Sequence, residues 1–253
     1  MKLDKFSQDD FIKASNRLVR SLTRGKTISS KPKAILLGGQ SGAGKTTIHR
    51  IKQREFQGNI IVIDGDSYRS FHPNYLTLQE KYGKDSVNYT KVFAGQMVEY
   101  LVDELSKQGY HLLIEGTLRT TEVPRKTAQL LTTRDYQVSL ALIATKPELS
   151  YISTLIRYEE LYAIDPSQAR ATPKAHHDGI VEHLVDNLQE LEKDKLFSQI
   201  QIYQRDQSCV YDSQVDETSA TEVLHKCLFG KWSKVEEEML KIGQERLREL
   251  GDN

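Results

Sequence analysis

A parallel α/β sheet covered by helices on both faces, with helical additions at its two ends, is the fold this sequence predicts, and two observations predict it. Short aliphatic runs at residues 34–37, 59–63, 110–114, 138–144 and, more weakly, 199–203 alternate with segments of helical periodicity at 45–55, 87–108, 121–132, 147–163 and 173–193. Strands joined through helices are parallel crossovers, which bury both faces of their sheet. No Gly/Ser-rich or Pro-rich linker and no internal repeat divides the 253 residues, so the chain reads as a single domain.

Each element has a local cause. Ser7 and Asp10 stand at capping-box spacing, and Phe11, Leu18 and Leu22 recur at helical intervals, giving an amphipathic helix over residues 8–23 that lies against the main body. The polar stretch 26–32 breaks this pattern before Ala34-Ile35-Leu36-Leu37, a buried strand that runs into the glycine turn Gly38-Gly39. Thr145 precedes Pro147 and Glu148, and Thr172 precedes Pro173, which marks two further helix starts. Ser233 and Glu236 open a last helix to about Leu250, with Val235, Met239 and Ile242 on one stripe. The expected organisation is an N-terminal helix within 1–30, a core over 33–205 with a lid near 158–172, and a C-terminal extension over 206–253.

Composition excludes several classes. No aliphatic run approaches the ~20 residues that cross a bilayer, and Met1-Lys2-Leu3-Asp4 opens no apolar signal core, so a cytoplasmic protein without membrane contact is expected. Thirty-five basic residues balance thirty-five acidic ones, which argues against nucleic-acid binding by phosphate neutralisation. Cys209 and Cys227 are too few for a zinc set and read as packing residues.

The strongest chemical signal is Gly39-Gln40-Ser41-Gly42-Ala43-Gly44-Lys45-Thr46, the G-x-x-x-x-G-K-[ST] pattern placed between a strand and a helix. Glycines allow backbone N–H groups to turn around phosphate oxygens, Lys45 reaches the β and γ phosphates, and the Thr46 hydroxyl ligates Mg²⁺. The alternative, a glycine turn without a ligand, has no use for Lys45 and Thr46 together. The fold class narrows accordingly to a P-loop kinase-like sheet that takes a nucleotide.

Ligands of such sheets lie at the carboxyl edge, so the other strand ends hold the acceptor chemistry. Strand two ends Asp64-Gly65-Asp66-Ser67, where Asp66 either accepts a hydroxyl proton or caps the helix that follows. Asp64 shares that ambiguity, but alternation turns it from the side Asp66 faces. Strand three ends Glu115-Gly116-Thr117-Leu118-Arg119, so Glu115 either holds the metal through water or touches substrate, with Thr117 and Arg119 on the loop above. Arg119 has the bland reading of a surface arginine. Glu99, flanked by Phe93, Val98 and Leu101, either meets a ligand or a cation or lies on a solvated face. Arg157 and Arg170 bracket a segment containing Asp165-Pro166-Ser167 and suit a lid over polyphosphate, although arginines commonly face solvent. His176 and His177 lack a third ligand at metal spacing and read as surface residues.

Together, Gly39 to Thr47, Ile63-Asp64-Gly65-Asp66-Ser67-Tyr68-Arg69, Glu99, Glu115 to Arg119, Arg157 and Arg170 resemble the zeta toxin family, most closely its PezT branch. The resemblance spans roughly residues 33–180. It implies the toxin half of a bacterial toxin–antitoxin pair, a Mg²⁺- and ATP-dependent kinase of the 3′-hydroxyl of the amino sugar in UDP-N-acetylglucosamine that blocks peptidoglycan synthesis. It further implies Asp66 as general base and Lys45, Arg157 and Arg170 on the γ-phosphate. Thr46 would bind the metal, beside the Glu115 that the strand-end reading offers to it, and Glu99, Glu115, Thr117 and Arg119 would hold the sugar nucleotide. An antitoxin covering the ATP site, in an assembly of two toxins with two antitoxins, is the implied partner. A polynucleotide kinase could use the same parts, and a P-loop module without catalysis could use ATP as a switch.

Overall fold

The computed structural model describes residues 2–166 and 169–251. Its strands are β1 (Lys33–Gly38), β2 (Ile61–Ile63), β3 (Leu112–Glu115), β4 (Gln137–Ile143), β5 (Ile200–Tyr203) and β6 (Cys209–Asp212), in the sheet order β2-β3-β1-β4-β5-β6. The first five are parallel, as the alternation of strand and helix predicts. β6 departs from the expectation of a wholly parallel sheet: it pairs antiparallel with β5. Only five residues separate the two strands, in a turn closed by Gln204 N–H on the Ser208 carbonyl (2.9 Å), and a connection that short can make only a hairpin.

The helices are α1 (Gln8–Thr23), α2 (Thr46–Glu55), α3 (Gly65–Tyr68), α4 (Tyr75–Tyr82), α5 (Ser86–Gln108), α6 (Glu122–Thr132), α7 (Pro147–Ile164), α8 (Lys174–Asp194), α9 (Ala220–Phe229) and α10 (Lys234–Gly251). Strand pleating divides the interior. Ala34 and Leu36 of β1 face a large core shared with Phe11 of α1, Phe93 and Leu101 of α5, and Leu184 and Leu188 of α8. Ile35 and Leu37 face a smaller core with Ile48 of α2. The Ser7–Asp10 capping box forms, with Asp10 N–H donating to Ser7 Oγ at 3.1 Å.

Two expectations need correction, after one helix whose packed face the sequence left open. On α10 the stripe Val235, Met239 and Ile242 faces solvent. The helix instead approaches α7 through Gly243, where an added Cβ would stand 3.3 Å from Ile152 Cγ2, so the small residue selects the packed face over the apolar stripe. His177 is 1% exposed and not a surface residue, because α8 turns it inward against Ser150 of α7. Cys209 is exposed on the edge strand and packs no core. In the lid, residues 158–164 remain helical as the end of α7, whereas Ser167 lies outside the described residues. Among the described residues no helix is long and apolar enough to cross a membrane.

Candidate active site

The β1–α2 connection has no room for side chains at its glycines. Gly42 adopts φ +73°, and a Cβ there would fall 2.0 Å from the Ser150 carbonyl oxygen, which only glycine avoids. Behind the loop, Gln40 is fully buried and its amide donates to the Thr145 carbonyl (2.7 Å) and to Ser150 Oγ (3.1 Å). Ser41, Gly42, Gly44, Lys45, Thr46 and Thr47 line a cavity of about 1000 Å³. Gly39, Gln40 and Ala43, expected at the nucleotide, support the loop from outside that cavity. Lys45 Nζ donates to the carbonyls of Gly39 (3.1 Å) and Gln40 (3.3 Å) and lies 3.6 Å from Glu115 Oε1.

The same cavity gathers Asp64, Asp66, Glu115, His49, Arg157, Arg170 and Arg205. Asp64, not Asp66, caps α3: its Oδ1 accepts from Asp66 N–H at 3.0 Å and its Oδ2 from Ser67 Oγ at 2.6 Å. That leaves the Asp66 carboxylate free for chemistry. Asp64 nevertheless lines the cavity beside Asp66, contrary to the alternation argument, because the strand ends at Ile63 and the chain is already turning into α3. Burial and the neighbouring Glu115 carboxylate raise the Asp64 pKa.

The Asp66 side chain is 63% exposed and pairs with Arg69 Nε at 2.8 Å, while Arg170 donates to its backbone carbonyl. Desolvation pushes the Asp66 carboxyl up, but Arg69, Arg170 and Lys45 outweigh it and hold the group below the usual carboxylate range. Arg69 is itself fixed by the Val87 carbonyl (2.9 Å) and Thr90 Oγ1 (3.1 Å) on α5. Burial likewise pushes Glu115 up, and the close approach of His49 (Nε2 2.9 Å from Oε2) together with the charge of Lys45 brings it below its ordinary value.

Glu115 also lines a second cavity of about 630 Å³ with Glu99, Thr117 and Arg119, so the structure brings all four predicted acceptor residues together. Glu99 is exposed at this wall, which settles its burial but not its role. Leu118, buried at the turn, takes φ +57°, an unfavourable conformation for a branched side chain that Asn187 secures by donating to its carbonyl at 2.8 Å. Arg119 Nη1 lies 3.4 Å from His176 Nδ1.

Sequence reasoning gave Arg69 no role of its own and missed His49, Arg205 and the inward His177. His49 follows Lys45 by four residues and shares its helix face, a usable signal. Arg205 carries none, since nothing local marks an arginine after a weak strand.

The zeta toxin family model matches residues 19–216, most of the chain. The chain belongs to the zeta toxin family. It is 67% identical over 250 residues to Toxin PezT of Streptococcus pneumoniae serotype 4, covering 99% of each chain. It is 40% identical over 229 residues to Toxin zeta of Streptococcus agalactiae, covering 90% of this chain and 80% of that relative. Among solved structures, a chain of the PezAT chromosomal toxin–antitoxin system of Streptococcus pneumoniae superposes with a TM-score of 0.91 at 63% identity over the full length of both. The AvrRxo1-ORF1:-ORF2 complex with ATP gives a TM-score of 0.61 at 13% identity over 96% of this chain and 82% of that one, a likeness of fold alone.

Proposed function

We propose that this zeta toxin family member is the toxin of a cytoplasmic toxin–antitoxin pair. In this reading it is a kinase that moves the γ-phosphoryl group of ATP to the 3′-hydroxyl of the amino sugar of UDP-N-acetylglucosamine and so blocks peptidoglycan synthesis. The observation that carries the reading is the position of Asp66: its carboxylate shares one cavity with Lys45, Arg157 and Arg170, and Glu115 joins that cavity to the pocket of Glu99, Thr117 and Arg119.

The residues present fit ATP. The buried Nε of Arg170 has no partner among the described residues, a donor that a phosphate oxygen satisfies. They also fit Mg²⁺, since the Thr46 hydroxyl and the Glu115 carboxylate are the hard oxygen donors this ion takes. When bound, Mg²⁺ neutralises charge on the β- and γ-phosphate oxygens.

Lys45, Arg157 and Arg170, gathered at the cleft, stabilise the charge on the transferring group. Asp66, ionised because cations surround it, takes the proton of the attacking hydroxyl as the new O–P bond forms and the bond to ADP breaks. Glu99, Glu115, Thr117 and Arg119 hold the sugar nucleotide so that this hydroxyl faces Asp66. An antitoxin covers the ATP cleft until it is degraded, in an assembly of two toxins with two antitoxins; the similarity to a PezAT chain supports such a partner.

The test is mass spectrometry of UDP-N-acetylglucosamine after incubation with the protein, ATP and Mg²⁺, with an oligonucleotide as parallel acceptor. The expected result is one added phosphoryl group on the amino sugar and none on the oligonucleotide. An unmodified sugar nucleotide in the presence of bound ATP rejects the substrate.

A further inference from the structure

We propose that Arg205, on the turn between β5 and β6, is a positioning residue of the phosphate loop: its guanidinium holds the Gly42 and Ala43 carbonyls, which sets the Gly44 N–H on the far side of its peptide plane, and ties the loop to α7. The inference rests on the reading of the cleft as an ATP site.

A loop whose N–H groups converge on phosphate must turn its carbonyls the other way, and those carbonyls need donors of their own. Lys45 serves Gly39 and Gln40. Arg205 serves Gly42 and Ala43: Nη2 donates to Gly42 O and Nε to Ala43 O at 3.1 Å, where Thr145 Oγ1 adds a bond of 2.8 Å. In a trans peptide the N–H lies opposite the carbonyl, so fixing Ala43 O directs the Gly44 N–H away from Arg205. The arginine stem packs on the same peptide, with Cγ 3.3 Å from where a Cβ on Gly44 would stand.

The same Nη2 reaches Ser153 Oγ at 3.0 Å and the Leu149 carbonyl at 3.4 Å, both on α7. Arg157 follows Ser153 by one helical turn and lines the cleft with it. One planar fork therefore sets both the loop's peptide planes and the spacing between loop and lid helix. Lysine cannot reproduce this, because its ammonium is a point charge without the fork.

The test is calorimetric titration of the full chain with ATP and, separately, with inorganic tripolyphosphate, for the parent protein, Arg205→Ala and Arg205→Lys. Loss of charged hydrogen bonds to the cradle should weaken both ligands equally in Arg205→Ala, by about 30-fold. Millimolar guanidinium chloride should restore about tenfold of this loss, a recovery that a merely loosened fold would not show. Arg205→Lys should stay at least about tenfold weaker than the parent, and it decides the matter should Arg205→Ala not fold. Parent-like binding by either variant overturns the proposal. So does loss confined to ATP with tripolyphosphate spared, which would place Arg205 on the nucleoside, or a folded Arg205→Ala that guanidinium does not rescue. A parent chain that binds neither ligand removes the ATP site itself and this inference with it.

Discussion

Glu115 lines two cavities, and the walls on its two sides are made differently. On the phosphate side the wall is built around backbone: a glycine loop, ringed by charged side chains, whose carbonyls are held by Lys45, Thr145 and Arg205 and whose buried Gln40 is locked to Thr145 and Ser150. On the acceptor side it is made of side chains from α5, the β3–α6 turn and α6, including Val98, Glu99, Thr117, Arg119 and Leu130. A backbone site recognises a group common to every nucleoside triphosphate, whereas a side-chain site can differ from one protein to the next on an unchanged frame. Chemistry should therefore fail completely when the first wall or its base is altered, and by degrees when the second is.

Removing the base is expected to have the largest effect. Asp66→Asn keeps the shape and the contact distance to Arg69 but cannot take a proton, so phosphoryl transfer should fall by roughly 10²–10⁴. ATP affinity should stay within about threefold of the parent, because only the transition state loses an interaction. Single-turnover transfer and calorimetric ATP binding measure the two, and a retained rate would show that another group accepts the proton. Lys45→Ala follows: kcat/KM should drop roughly 10²-fold or more, with weaker ATP binding as well. Binding lost along with rate distinguishes the phosphate wall from the base.

Arg69→Gln separates the base from its electrostatic surroundings. Arg69 is the strongest of the cations that hold Asp66 below the usual carboxylate range. With Asp66 as the proposed base, transfer needs it ionised, so the parent's rate should be level through neutral pH and fall only in acid, as pH drops through that lowered value. Without Arg69 the carboxyl pKa rises, and the acid limb of the rate profile must move to higher pH. A limb that stays in place would mean that Asp66 is not the group whose protonation stops the reaction.

How much could be read beforehand follows the same division. The phosphate loop, the carboxyl-edge position of Asp66 and Glu115, and five parallel strands were legible because each depends on neighbours within a few residues: glycine spacing, apolar runs, capping pairs. The role of Asp64 as cap was not, since two carboxylates at positions 64 and 66 satisfy the same local pattern and only the start of α3 chooses between them. Which face of α10 packs was not legible, because a glycine, carrying no hydrophobic weight, decides it. Arg205 and His177 act over separations of more than a hundred residues and of twenty-seven, where sequence periodicity has nothing to say. The acceptor pocket falls between: its members were named one at a time, but their meeting in one cavity is a product of tertiary structure.

The mildest effect should come from the acceptor wall. Glu99 is exposed, on α5, at the edge of a pocket that also holds Arg119 and Lys126, so its charge is screened by water and by basic neighbours. Glu99→Gln keeps the size and one acceptor oxygen while removing the charge. KM for UDP-N-acetylglucosamine should rise about three- to tenfold, the worth of one weakened hydrogen bond, with ATP affinity and the rate at saturating acceptor unchanged. Steady-state kinetics with each substrate varied in turn reads this split. A fall in ATP affinity would mean that the two walls are coupled through Glu115, whereas an unchanged KM would place Glu99 outside the acceptor's reach and confine recognition to Thr117 and Arg119.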